Sequence, residues 1–156
     1  MIPTAHIHPI LVHFPIVFFL CLAALDTIAG LRGIPVTGRS GAGNASTGLA
    51  LLAGGFAVVT YIFGDMALEI AEAGGFHSDV AEIHEQLGGI TMGAFAAWAV
   101  IRALLWFRNV KLRGGLAALL PMIEIAGAAL VVATAYYGGQ LVYGLGVNVA
   151  KVAAAG

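Results

Sequence analysis

His8-Pro9-Ile10-Leu11-Val12-His13-Phe14-Pro15 leads straight into Ile16-Val17-Phe18-Phe19-Leu20-Cys21-Leu22-Ala23-Ala24-Leu25, and no charged residue stands before Asp26. A helix crosses the hydrocarbon core of a bilayer with about 20 mostly apolar residues. This run reaches that length, from about residue 10 to 31, broken only by Asp26. Three more stretches qualify, at about residues 47–70, 79–107 and 116–143. Asp65 and Glu69 lie at the far end of the second, the middle of the third is uncharged from Gln86 to Ile101, and Glu124 is the one charge in the fourth. None alternates with period two, so strands are excluded. The expected fold class is all-α: an integral membrane four-helix bundle forming a single domain over residues 1–156, with no second domain and no internal repeat.

Composition agrees. Of 156 residues, 60% are apolar and only 10% charged, against roughly 25% charged in ordinary globular chains. The mean hydropathy is +0.97. Too little polar surface exists to cover a water-soluble fold of this size. The 22 glycines point the same way, since Gly is commoner in membrane helices than in soluble ones. The single cysteine, Cys21, excludes an intramolecular disulfide, a zinc ribbon, an Fe–S cluster and a Cys-x-x-Cys-His haem attachment. The N-terminus lacks a basic region, so the first apolar segment is expected to stay as a span rather than be cleaved.

The connectors carry turn chemistry. Residues 32–46 hold Gly33, Pro35, Gly38, Gly41, Gly43 and Asn44; residues 73–78 hold Gly74-Gly75; residues 109–115 end in Gly114-Gly115. Asp79 with Glu82 has capping-box spacing and predicts the start of the third helix. Of the seven Lys and Arg residues, all but Lys151 fall at one end of the bundle: Arg32, Arg39, Arg102, Arg108, Lys111 and Arg113. By the positive-inside rule that end is cytoplasmic. Both termini and the loop joining helices 2 and 3 are then expected on the outer, periplasmic side of a bacterial inner membrane.

All five histidines belong to that outer end. His6, His8 and His13 enter helix 1; His77 and His84 enter helix 3. Ionisable residues at membrane depth are costly and face the bundle interior. Two imidazoles on different helices at one depth can share a metal, as axial His ligands do in haem proteins. His13 and His84, each about one turn inside its helix, are the expected axial pair. His8 and His77 are candidates for a second haem, for the propionate end, or for another metal. Gly88, four residues after His84 and on its face, is expected to leave room for a porphyrin, and Thr91 shares that face. Asp79, Glu82 and Glu85 make Zn²⁺ or Cu²⁺ the alternative ligand of the same cluster. A third reading has the histidines only capping and packing, in a structural or interaction module.

Elsewhere, Asp26, Arg102 and Glu124 are expected to form a buried ionic network, with a proton path as the alternative. Gly54, Gly55, Gly89, Gly93, Gly127, Gly138 and Gly139 are expected to serve close helix packing. No P-loop, Rossmann fingerprint, His-Glu-x-x-His or Gly-x-Ser-x-Gly pattern occurs. No basic patch with interleaved aromatics points to nucleic acid.

The opening octapeptide resembles the signature of a small bacterial four-helix membrane family, domain of unknown function 2231. Asp26 with Gly30, His84 with Gly88, Gly138-Gly139-Gln140-Leu141-Val142-Tyr143 and Gly146-Val147 resemble that family's later motifs. The resemblance covers essentially the whole chain. Fusions of such proteins to Rieske-type ferredoxin domains would favour redox work; this chain has no cysteines for a cluster, so any redox role needs borrowed partners.

The resulting expectation is a membrane-embedded b-type cytochrome, an electron-transfer protein rather than a catalyst. It would carry haem b, one or two per chain or per dimer, with a periplasmic redox protein or a quinone as partner. A homodimer is a further expectation, since so small a bundle would struggle to enclose a porphyrin alone.

Overall fold

The computed structural model describes residues 6–149. They form α1 (Ile7–Leu11), α2 (His13–Leu31), α3 (Gly41–Ala73), α4 (Asp79–Phe107) and α5 (Gly115–Gly139), closed by a π-helical turn over Gln140–Gly144. Ile7–Leu31, Gly41–Ala73, Asp79–Phe107 and Gly115–Gly144 are each long and apolar enough to cross a membrane. No strand occurs among the described residues. Lys151 lies outside them.

The first span is broken between α1 and α2, and Pro15 explains why. Proline has no N–H to give the carbonyl four residues earlier. The carbonyl of Leu11 is therefore free, and it accepts instead from Thr60 Oγ1 on α3 at 3.3 Å. The second span begins at Gly41, earlier than about residue 47, because Ser40 caps it: its backbone is extended and its Oγ accepts from the Gly43 N–H at 3.0 Å. The third span begins at Asp79, as its spacing predicts, but Ser78 is the cap, accepting from the Val80 N–H at 3.2 Å. Asp79 and Glu82 sit in the first turn, where the helix dipole favours carboxylates.

α2 packs on α3 and α5, and α4 packs on the same two helices. Among the described residues the diagonal helices α2 and α4 meet only through side chains. The bundle is dressed for lipid: Leu31, Phe107, Val132 and Ile90 are exposed, while Asp26, Ser46, Arg102 and Glu124 are fully or almost fully buried. Close approach depends on particular glycines. A Cβ on Gly54 would lie 2.7 Å from Ala99 Cβ and 2.9 Å from the Phe95 carbonyl, and one on Gly127 would lie 2.6 Å from the Phe19 ring. Gly55, Gly93 and Gly139 face open space, so the expected packing role does not extend to them. Gly54→Val is expected to cost about 1–3 kcal/mol through overpacking, because backbone and a Cβ cannot yield. Gly55→Ala is expected to be neutral or better. Thermal unfolding in detergent separates the two.

The chain contains an internal repeat, contrary to the expectation from sequence. Asp26 and Arg102, 76 positions apart, form an ion pair. His8 and His84, at the same interval, face each other with ring centres 6.3 Å apart. Phe19 and Phe95, again at that interval, stack at 3.7 Å and 7°. Equivalent residues that touch one another lie on a two-fold axis. Even the helix ends match: Gly33 and Asn109 both have positive φ, and the next residues, Ile34 and Val110, each donate back to Ala29 and Leu105 at 2.8 Å. Each half is a helical hairpin, α1–α3 and α4–α5, and both run the same way along the axis, as in parallel membrane repeats. The similarity escapes a linear reading because few residue identities survive: Asp26 answers Arg102, and Leu22 answers Trp98.

At the basic end the two loops are stapled. Arg39 donates through its backbone N–H to Asn109 Oδ1 and through Nη2 to the Phe107 carbonyl, both at 2.9 Å. Its guanidinium lies over Trp106, whose Nε1 donates to Asn44 Oδ1 at 2.7 Å. Just inside this layer the buried polar group assembles. Arg102 Nη1 donates to Asp26 Oδ2 at 2.6 Å and to Glu124 Oε1 at 3.1 Å. Arg102 Nη2 donates to the Val36 carbonyl at 2.8 Å and also contacts Ser46 Oγ. Ser46 Oγ donates to Asp26 Oδ1 at 2.6 Å, and Trp98 Nε1 donates to Glu124 Oε1 at 3.1 Å.

Candidate functional site

At the opposite end the two-fold axis passes between His8 and His84. Each imidazole is held in the same way. His8 Nδ1 lies 3.0 Å from the Thr60 carbonyl on α3, and His84 Nδ1 lies 3.1 Å from the Thr134 carbonyl on α5. A carbonyl can only accept, so Nδ1 carries the hydrogen and Nε2 keeps its lone pair. Neither Nε2 has a hydrogen-bond partner among the described residues. Each ring also rests on a glycine. A Cβ on Gly64 would lie 2.8 Å from His8 Cε1 and Nδ1, and one on Gly138 would lie 2.9 Å from His84 Cε1. The anchoring helices are fixed in turn, Thr60 to Leu11 as above and Thr134 Oγ1 to Thr91 Oγ1 at 2.9 Å.

Metal-ligating histidines almost always donate their other ring N–H to a carbonyl, carboxylate or water, which sets tautomer and orientation. This pair has that arrangement twice. The two ring centres lie 6.3 Å apart, with the ring planes 80° apart. A cavity of about 420 Å³ adjoins them, within the ordinary range for a small-molecule site. Its walls include Ile16, Ala57, Leu68, Met92, Phe95 and Val131.

Among the described residues no group of three or more His, Cys, Asp or Glu side chains could hold an ion. Protein zinc sites use three or four side-chain ligands. Haem iron draws four nitrogens from the porphyrin and needs only axial ligands from the protein. Two facing histidines beside an apolar cavity fit the second requirement.

The pairing differs from the one expected from depth alone, which set His13 against His84. His8 and His13 are five residues apart, and the break between α1 and α2 falls between them. α1 packs on α3 and turns His8 to Thr60. His13 borders the cavity but is exposed, with its Nδ1 3.3 Å from the Ile10 carbonyl. His77 is exposed on the connector and does not line the cavity. Gly88 borders the cavity, and the Tyr61 ring, also on the cavity wall, lies 3.8 Å from where its Cβ would stand, an ordinary van der Waals contact. Glu85 also borders the cavity.

Four supporting residues were not foreseen as part of the site: Thr60, Gly64, Thr134 and Gly138. Their signal is a repeated Thr-x-x-x-Gly, in Thr60-Tyr61-Ile62-Phe63-Gly64 and Thr134-Ala135-Tyr136-Tyr137-Gly138. Four residues make one turn, so the carbonyl that receives the imidazole and the bare patch beneath it share one helix face. The π-helical turn follows directly and carries Leu141, Val142 and Tyr143 to the cavity wall.

No curated protein and no solved structure matches the chain. The family described as "Predicted membrane protein (DUF2231)" matches residues 4–151. With four membrane-length helices and that match over nearly its whole length, the chain is a multi-pass membrane protein belonging to the DUF2231 family.

Proposed function

We propose that the chain is a b-type haem protein of the bacterial inner membrane that transfers electrons, with His8 and His84 as the axial ligands. The observation that carries this reading is the matched pair of imidazoles: Nδ1 tied to a carbonyl on each side, a glycine beneath each ring, and 6.3 Å between ring centres. Bound haem would supply the one-electron couple. The protein's own part is to hold two neutral imidazoles at fixed separation in an apolar cavity. Haem held by two histidines would have no open coordination position, which favours electron transfer over oxygen chemistry. Both come from one chain, so ligation needs no second copy.

The basic loops at the far end support a cytoplasmic position for that end by the positive-inside rule. The histidine end then faces the periplasm, where a soluble redox protein or a membrane quinone is the electron partner.

Absorption spectra of the detergent-extracted protein, oxidised and reduced, test the reading. A Soret band and a sharp reduced α-band are expected. His8→Ala and His84→Ala should abolish the six-coordinate spectrum, while His13→Ala and His77→Ala should retain it. Stoichiometric zinc or copper without a Soret band would overturn the haem assignment in favour of a bare metal. Loss of the spectrum in His13→Ala but not in His8→Ala would overturn the ligand assignment.

A further inference from the structure

Glu124 breaks the internal two-fold. Asp26 and Arg102 occupy equivalent positions in the two halves and pair with each other, so on their own they are neutral. Between the second helices of the two halves the interval is 74, as between Thr60 and Thr134, so the position equivalent to Glu124 is Ala50, also buried. The second half thus adds one carboxylate to a pair already balanced.

Among the described residues no second cation pairs with that carboxylate. Asp26 and Glu124 are 0% exposed and Arg102 is 1% exposed. Every element packed around the group is accounted for: Asp26 from α2, Ser46 from α3, and Trp98 and Arg102 from α4. Both oxygens of Asp26 have strong partners, Ser46 on Oδ1 and Arg102 on Oδ2. Glu124 Oε1 accepts from Trp98 and Arg102. Glu124 Oε2 is buried and has no hydrogen-bond partner among the described residues. Two ionised carboxylates against one guanidinium would leave a full negative charge inside a membrane protein, with one bare oxygen to carry it, an arrangement heavily penalised in low dielectric.

We propose that the Asp26–Arg102–Glu124 cluster is a one-proton binding site, with the proton on Oε2 of Glu124 and Asp26 ionised against Arg102. The proton neutralises the surplus charge on the atom that lacks any other partner. Oε1 remains free to accept from Trp98 and Arg102, so no existing hydrogen bond is lost. The site lies at the basic end of the bundle and does not depend on what the histidines bind.

Infrared spectroscopy of the full chain in lipid vesicles at neutral pH tests the proposal. The wild type should show the C=O stretch of a protonated carboxylic acid, and it should move to lower frequency when glutamate is labelled with ¹³C. Glu124→Gln should lack the band and melt close to wild type, since a neutral amide replaces a neutral acid. Asp26→Asn should lose the band as well, because Glu124 then ionises as the one carboxylate left to balance Arg102. A wild-type spectrum without the band overturns the proposal, as does a band that ¹³C-glutamate leaves unmoved. Both readings come from unmutated protein, so they stand even if a variant fails to fold.

Discussion

Arg102→Ala is expected to lower stability by about 3–5 kcal/mol, the usual cost of removing one partner from a buried ion pair. The guanidinium reaches three helices and the first connector through Asp26, Ser46, Glu124 and the Val36 carbonyl. Its removal leaves Asp26 ionised and fully buried without its guanidinium partner. Thermal or denaturant unfolding in detergent measures the effect. The triple variant Asp26→Leu, Arg102→Met, Glu124→Leu should recover most of the loss, because replacing a whole buried ionic group by apolar side chains is often neutral or stabilising. An Arg102→Ala protein within about 1 kcal/mol of wild type, the level of an exposed pair, would show that the network contributes no more than a surface salt bridge.

On the proposed haem assignment, Gly138→Ala and Gly64→Ala are expected to weaken haem binding by about 10–100-fold, the range seen when groups supporting a metal ligand are altered. A methyl group at either position would come within 3 Å of an imidazole. The ring is the movable party, so it must leave its carbonyl partner and its line to the opposite ring. Stability of the cofactor-free chain should change little, since helix propensity favours Ala over Gly. Gly139→Ala and Gly55→Ala, which meet nothing within 4 Å, are the matched controls. Haem titration of the four variants decides. Equal affinities across the set would mean that the glycines do not position the rings.

The helices were legible because lipid imposes a simple demand: about 20 apolar residues without interruption. The charge map was legible for the same reason, since Lys and Arg avoid the hydrocarbon. The buried Asp26–Arg102–Glu124 group also followed from sequence, because three charges in otherwise apolar spans must find one another. Which histidine of the first span packs beside His84 was not legible. Depth ranked His13 and His8 by position along the chain, but which one faces inward is set by rotation about the helix. That rotation depends on the break at Pro15 and on Thr60 reaching the Leu11 carbonyl, a contact 49 residues away in sequence. The repeat was hidden because a two-fold axis asks equivalent positions to complement one another, and complements such as Asp and Arg do not look alike.

The axis between the two hairpins has a further consequence for assembly. Each hairpin brings one histidine, so a lone half would hold half a site and would have to find its mate by diffusion in the bilayer. The short connector through Gly74-Gly75 turns that encounter into an intramolecular one, at an effective concentration of order millimolar for a short flexible linker. Ligand pairing is thereby decoupled from how much of the protein the membrane contains.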